Sequence, residues 1–223
     1  MNEIKAVILD FDGVLVESNT EKTEAFKELF TLYPEHEEEM LAYHFQNFSV
    51  SRMRKFEHFV HDFMKRPDDT ETVTEMAARF SDLVTKRVIA CPEVPGAMSF
   101  LQRFSKRFPI YISSATPQSE LIEIIHRRGM TSYLTGIFGD PPVKKREAIR
   151  SVLKREKVFP EETLFIGDAL SDYHVARETG IRFMGRDSGL PFGEEDVPLY
   201  RDLFEISDAI RQQHVEHCHD TNG

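Results

Sequence analysis

Two aspartates stand one residue apart at the point where the first apolar run of this chain stops. The run Ala6-Val7-Ile8-Leu9 is short, apolar and partly β-branched, which predicts a buried parallel strand. Asp10 and Asp12 follow it directly, and burying bare carboxylates is costly unless a cation or hydrogen bonds compensate. Ligands bind beyond the carboxyl ends of strands in open α/β sheets, so the pattern predicts a metal site there. The simpler alternative is a strand that ends in an acidic turn.

Three further motifs follow along the chain, and together they argue against a simple acidic turn. A second apolar run at 109–112 ends in Ser113-Ser114-Ala115-Thr116-Pro117, and Lys144-Lys145-Arg146-Glu147 follows a turn-rich stretch. A third run at 163–166 ends in Gly167-Asp168, with Asp172 four residues further on. The order Asp-x-Asp, Ser, Lys and Gly-Asp-x-x-x-Asp resembles the haloacid dehalogenase superfamily of phosphotransferases, over about residues 4–186.

Hydrophobic periodicity and the resemblance together predict the domain organisation. Apolar residues recur at helical spacing between residues 17 and 93, whereas strand-like and helical runs alternate after Cys91. We therefore expect an α/β fold, with a Rossmann-like parallel sheet and helices on both faces, over residues 1–16 and 94–212. An α-helical cap domain is expected as an insertion at 17–93. The polar stretch 213–223 is expected to be a disordered tail.

The resemblance implies roles for the acidic residues. Asp10 would be the nucleophile that forms an aspartyl-phosphate, and one of its oxygens would also bind a metal. Asp12 would protonate the leaving oxygen and then activate water, and its backbone carbonyl would be a metal ligand. Asp168 would be a further ligand. Asp172 could act as a ligand through water, orient another ligand, or be a carboxylate that favours a helix start. An all-oxygen ligand set of this kind suits Mg²⁺.

The remaining site candidates carry alternatives. Ser114 is the predicted phosphate-binding hydroxyl, with Ser113 as its alternative because strand registers slip by one in such predictions. Lys145 is predicted to balance the charge of Asp10 and the phosphoryl group, with Lys144 as its rival. The predicted substrate-binding residues are Gly13, which also permits a tight turn, Ala115 and Arg52. A guanidinium suits an anionic group, although Arg52 also fits a solvent-exposed basic helix start.

Asp12 bears on the reaction class. By resemblance, dehalogenases of this superfamily lack a carboxylate at this position, because halide leaves without a proton. We therefore expect a phosphatase that hydrolyses a small phosphorylated metabolite, such as phosphoglycolate or a sugar phosphate. The alternative is a phosphomutase of the β-phosphoglucomutase type. A catalytically inactive binding or regulatory protein is a minor alternative, since every motif is present.

Composition limits the partners. The net charge is −10, from 28 basic and 38 acidic residues, which argues against nonspecific binding to nucleic acid or anionic membranes. No apolar stretch approaches the length of a membrane span, and the start of the chain lacks the apolar segment of a signal peptide. With only two cysteines, we expect a reducing, cytoplasmic compartment. The sequence is compatible with both a monomer and a homodimer.

Overall fold

The computed structural model describes residues 3–47 and 50–220, with backbone alone for 214–220. The described chain divides into two compact units. The sheet unit comprises the residues up to Glu17 and those from Pro92 onward, and the helical unit is Ser18–Cys91. Within the described ranges, no helix is long and apolar enough to cross a membrane.

The sheet unit is built on one parallel sheet of six strands, in the order β3-β2-β1-β4-β5-β6. This confirms the predicted α/β class with a parallel sheet. The strands are β1 Ala6–Leu9, β2 Ile110–Ser114, β3 Gly136–Gly139, β4 Thr163–Gly167, β5 Arg182–Arg186 and β6 Leu199–Tyr200.

Five α-helices accompany the strands: α5 Ala97–Phe104, α6 Gln118–Arg127, α7 Lys145–Glu156, α8 Leu170–Thr179 and α9 Leu203–Asp220. Short 3₁₀ turns lie at Thr131–Tyr133 and Pro160–Glu162. The core beside β1 packs Ile8, Tyr111 and Phe165 against Ile149 and Val152 of α7. These strand side chains are fully buried, which explains why β1, β2 and β4 read as unbroken apolar runs.

The helical unit contains α1 Asn19–Phe30, α2 Glu37–Gln46, α3 Arg52–His58 and α4 Thr70–Ala90, with a π-helical turn at Phe59–Phe63. Its interior is aromatic. The Phe26 ring lies 4.2 Å from Phe80 and 5.7 Å from Phe56, measured between ring centroids. All three rings are buried, so the apolar stripes seen in the sequence line one core.

The last described element of the chain is a long helix. The backbone of α9 continues to Asp220, within the stretch 213–223 that was expected to be a disordered tail, and residues 221–223 lie outside the described residues. No glycine or proline interrupts the chain between Leu203 and Asp220, so nothing in the sequence ends the helix earlier.

Candidate active site

Strand register places the acidic residues together. β1 and β4 are parallel neighbours in which Leu9 pairs with Ile166, and the Asp10 amide donates to the Ile166 carbonyl at 2.8 Å. Asp10 and Asp168 therefore both follow the carboxyl ends of adjacent strands. Asp172 lies in the first turn of α8, which begins just after β4. All three residues are buried.

Lys145 joins this group from the start of α7. Its Nζ donates to Asp10 Oδ2 at 2.7 Å and to Asp172 Oδ1 at 2.5 Å. Lys144 precedes the helix and is exposed. Of the two rival lysines, Lys145 is thus the one that contacts the acidic residues.

Burial and charge compete at this cluster. Burial raises the pKa of Asp10 to about 7; the Lys145 ammonium opposes this shift, while the Asp172 and Asp12 carboxylates add to it. Burial alone would lower the pKa of Lys145, but Asp10 and Asp172 outweigh it and raise that pKa. Lys145 therefore remains charged, and the site holds more carboxylate than its one ammonium neutralises.

The acidic residues fit a small divalent cation. Asp10, Asp168 and Asp172 each offer an oxygen, and these atoms lie within 4.8 Å of one another. In the part of the chain that the structure describes, Asp172 Oδ2 is buried and has no hydrogen-bond partner. A buried carboxylate oxygen without a partner is costly, and a cation would satisfy it. An all-oxygen set of this kind suits Mg²⁺.

Asp12 has different surroundings from Asp10. Its Oδ2 accepts hydrogen bonds from Ser114 Oγ at 3.3 Å and Thr116 Oγ1 at 3.0 Å. Ser114 Oγ in turn accepts from the Thr116 amide at 3.1 Å. Ser113 Oγ is buried and has no hydrogen-bond partner among the described residues. Ser114 is therefore the serine that the structure places beside the acidic pair.

The other predicted substrate-binding residues lie in both units. Gly13 has a φ of 71°, the left-handed region that glycine adopts readily, and Ala115 is exposed between the buried Ser114 and Thr116. Arg52 belongs to the helical unit. Its Nη1 donates to Ser81 Oγ at 2.9 Å, and its guanidinium lies 4.8 Å from the centroid of Phe80.

Two site residues were missed from the sequence. The Thr-Pro pair at 116–117 is typical of a helix start, but α6 begins at Gln118 and the Thr116 hydroxyl donates to Asp12. Its position two residues after Ser114 was the available signal. Gly167 was treated only as part of a motif. A Cβ at Gly167 would come within 2.5 Å of Asp172 Cβ, so only glycine lets α8 bring Asp172 this close.

Comparison with known proteins decides the family. The profile of the family described as haloacid dehalogenase-like hydrolase matches residues 7–186, which include every residue of the acidic cluster. The chain belongs to the haloacid dehalogenase-like hydrolase family.

Two curated proteins are similar to this chain in sequence, and one solved structure is similar in fold. A phosphorylated carbohydrates phosphatase of Thermotoga maritima is 26% identical over 189 residues, covering 80% of this chain and 82% of that protein. A phosphoglycolate phosphatase of Shigella boydii serotype 4 is 21% identical over 153 residues, covering 64% and 60%. The magnesium-bound crystal structure of the HAD-hydrolase YfnB from Bacillus subtilis shares the fold, with a TM-score of 0.71 and 16% identity, and 94% and 99% of the two chains are covered.

Proposed function

We propose that this member of the haloacid dehalogenase-like family is a Mg²⁺-dependent phosphomonoesterase that acts through an aspartyl-phosphate on Asp10. The observation that carries the proposal is the difference in surroundings between two neighbouring carboxylates. Asp10 contacts Lys145 and the acidic cluster, whereas Asp12 is held by two hydroxyls. When two carboxylates have different surroundings, one can act as the nucleophile and the other as the general acid and base.

The reaction would proceed in two steps. An Asp10 oxygen attacks phosphorus, the bond from phosphorus to the leaving oxygen breaks, and Asp12 supplies the proton to that oxygen. Asp12 then takes a proton from the water that attacks the acyl phosphate, which releases inorganic phosphate and restores Asp10. Ser114 would donate to a phosphoryl oxygen. Lys145 holds Asp10 in position and offsets negative charge at the phosphoryl group.

Asp10, Asp168 and Asp172, together with the Asp12 carbonyl, would hold Mg²⁺. Bound there, Mg²⁺ supplies positive charge that screens the phosphoryl oxygens from the carboxylates. The fit rests on the 4.8 Å oxygen cluster and on Asp172 Oδ2, which has no hydrogen-bond partner among the residues that the structure describes.

We propose a small phosphorylated metabolite as substrate. The two curated relatives are named as phosphatases of phosphorylated carbohydrates and of phosphoglycolate, and these are the first substrates to test. Residues 17–93 would form a cap over the site, and Arg52 would bind an anionic group of the substrate. We further propose that the protein works in the cytoplasm, without nucleic acid or membrane partners.

The test is phosphate release from a panel of phosphoglycolate and sugar phosphates, with Mg²⁺ and with a chelator. We expect release by the wild type with Mg²⁺, and none by Asp10→Asn, which keeps the size of the side chain but loses its nucleophilic charge. Asp12→Asn is the companion variant, expected to lose rate by about 10²–10⁴-fold. Release by purified Asp10→Asn at the wild-type rate would contradict the aspartyl-phosphate. Interconversion of sugar phosphate isomers without net phosphate release would favour a mutase instead.

A further inference from the structure

The loop that follows Asp12 is closed by its own backbone. The amides of Val14, Leu15 and Val16 donate to the Phe11 carbonyl at 3.4, 2.9 and 3.3 Å, and the Gly13 amide donates to the Val16 carbonyl at 2.8 Å. The loop is buried from residue 11 to residue 16. The Gly13 carbonyl, next to Asp12, is bound by a side chain from elsewhere in the sheet unit.

That side chain is Arg186, at the end of β5. Its Nη1 donates to the Gly13 carbonyl at 3.1 Å and to Glu17 Oε2 at 2.9 Å, and its Nη2 donates to Glu17 Oε1 at 2.5 Å. The Arg186 side chain is 9% exposed. A two-point guanidinium–carboxylate pair with restricted solvent access is a strong and directional contact. Arg186 thus binds both ends of the segment 13–17.

The same segment carries the chain to the helical unit. The Glu17 amide donates to the Pro92 carbonyl at 2.9 Å, and the Leu15 carbonyl accepts from the Val94 amide at 3.1 Å. Glu17 is the last residue of the sheet unit before the chain enters the helical unit, and Pro92 is the first after it returns. Arg186 therefore fixes the point where both connections meet the Asp12 loop.

We propose that Arg186 is a positioning residue for Asp12, acting through the Gly13 carbonyl and Glu17. The inference rests on the proposed function, since it assigns Arg186 to the proton transfer by Asp12. The hydrogen bonds from Ser114 and Thr116 to Asp12 are 3.3 and 3.0 Å long, so a shift of the loop by about 1 Å would break them. Without Arg186, the buried Gly13 carbonyl loses the guanidinium that holds the loop in register.

Substrates with different leaving groups separate this role from general support of the fold. An alkyl phosphate needs a proton on its leaving oxygen, whereas 4-nitrophenolate leaves without one. We expect Arg186→Met to lower kcat/KM for an alkyl phosphate about tenfold more than kcat/KM for 4-nitrophenyl phosphate, because kcat/KM reports the transfer to Asp10 and not the later hydrolysis that both substrates share. Arg186→Lys and Glu17→Gln should show smaller losses in the same sense, because each keeps part of the contact. Arg177→Met, which removes an exposed ion pair with Glu195, is the matched control.

Amide hydrogen exchange tests the anchoring without any activity. Residues 11–17 should exchange faster in Arg186→Met than in Arg177→Met. Equal losses of kcat/KM on both substrates, or unchanged exchange in an active protein, would overturn the role of Arg186 alone. A wild type that hydrolyses neither phosphate would contradict the proposed function and, with it, the catalytic role of Arg186.

Discussion

At the scale of single residues, the site is defined by what each carboxylate contacts. Asp10 and Asp12 are only two residues apart. Asp10 binds the Lys145 ammonium and lies in the acidic cluster with Asp168 and Asp172, whereas Asp12 accepts hydrogen bonds from two hydroxyls. The pKa of Asp10 is raised to about 7, with burial as the largest cause. A cation at the cluster would favour the ionised, nucleophilic form of Asp10.

Lys145 and Lys144 provide a matched pair of substitutions. Lys145→Met removes the only ammonium that contacts Asp10 and Asp172 in the described part of the chain, so we expect kcat to fall by about 10²–10³-fold. Lys144→Met should leave kcat within about twofold of the wild type, because Lys144 is exposed. Steady-state kinetics with saturating Mg²⁺ measures both. Similar losses in the two variants would contradict the placement of Lys145.

Thr116 offers a subtler test. Thr116→Val keeps the shape of the side chain but removes the hydroxyl that donates to Asp12 at 3.0 Å. A hydrogen bond to a charged group is worth about 1.5–3 kcal/mol, so kcat for alkyl phosphates should fall about 10–100-fold. Thr116→Ser retains the donor and should recover most of the rate. Equal rates for Thr116→Val and Thr116→Ser would show that the hydroxyl is not used.

Sequence reasoning reached most of these residues, because they directly follow apolar strands. It did not separate Lys144 from Lys145 by geometry, since both stand at the same helix start and only the turn of α7 directs one inward. It missed the contact of Thr116 because Thr-Pro ahead of a helix is an equally good capping pattern. Arg186 carried no local signal: its partners Gly13 and Glu17 lie more than 160 residues away in the chain.

At the scale of elements, the fit between β4 and α8 decides where Asp172 lies. Gly167 pairs with Gly185 across β4 and β5, and the two glycines face different neighbours. A Cβ at Gly167 would come within 2.7 Å of Asp172 Oδ2, whereas a Cβ at Gly185 would meet the Leu199 side chain at 2.5 Å.

These two glycines give a controlled experiment. Gly167→Ala and Gly185→Ala should each lower stability by about 1–3 kcal/mol through overpacking. Only Gly167→Ala should also weaken Mg²⁺ binding, because it displaces a proposed ligand. Thermal unfolding with and without Mg²⁺ measures both effects, since a ligand that binds the folded state raises Tm. An unchanged Mg²⁺-induced rise of Tm in Gly167→Ala would contradict the role of Asp172.

Elements with strong periodicity were predictable, and short or irregular ones were not. β1 was predicted at Ala6–Leu9 and lies there, because four apolar residues are buried on both faces of the sheet. β3 escaped prediction because it has four residues, two of them glycine. The turn at Phe59–Phe63 continues the apolar stripe of α3, and its change to π-helical spacing is not visible in that stripe.

At the scale of the whole molecule, the net charge opposes the binding of a phosphorylated substrate, whereas positive charge at the site favours it. A net charge of −10 repels a phosphorylated substrate, so attraction requires local positive charge, such as the Lys145 ammonium or a bound cation. The strand order β3-β2-β1-β4-β5-β6 brings the ends of β1 and β4 side by side. The sequence patterns predict a parallel sheet but not this strand order.

Stability of the whole chain also depends on a buried lysine in the helical unit. Lys55 is 2% exposed, and its Nζ lies 3.0 Å from His44 Nδ1. Burial, aided by the charge of Lys22, lowers the pKa of Lys55 to about 7. The unfolded chain therefore holds more protons than the folded protein between pH 7 and the ordinary lysine pKa of 10.5, so stability rises with pH across that window.

Replacing Lys55 with methionine removes that penalty while keeping an unbranched chain among the aromatic rings. We expect Lys55→Met to raise Tm near pH 7, by about 2–4 °C for each kcal/mol of stability gained. The difference in Tm between the variant and the wild type should shrink as pH rises toward 10.5. The control is Lys86→Met on the exposed face of α4, which should show no such dependence. Thermal unfolding at about pH 7 and about pH 9.5 would measure the difference. A gain for Lys55→Met that is the same at both pH values would mean that Lys55 keeps its proton throughout, because only a titrating group makes the difference change with pH.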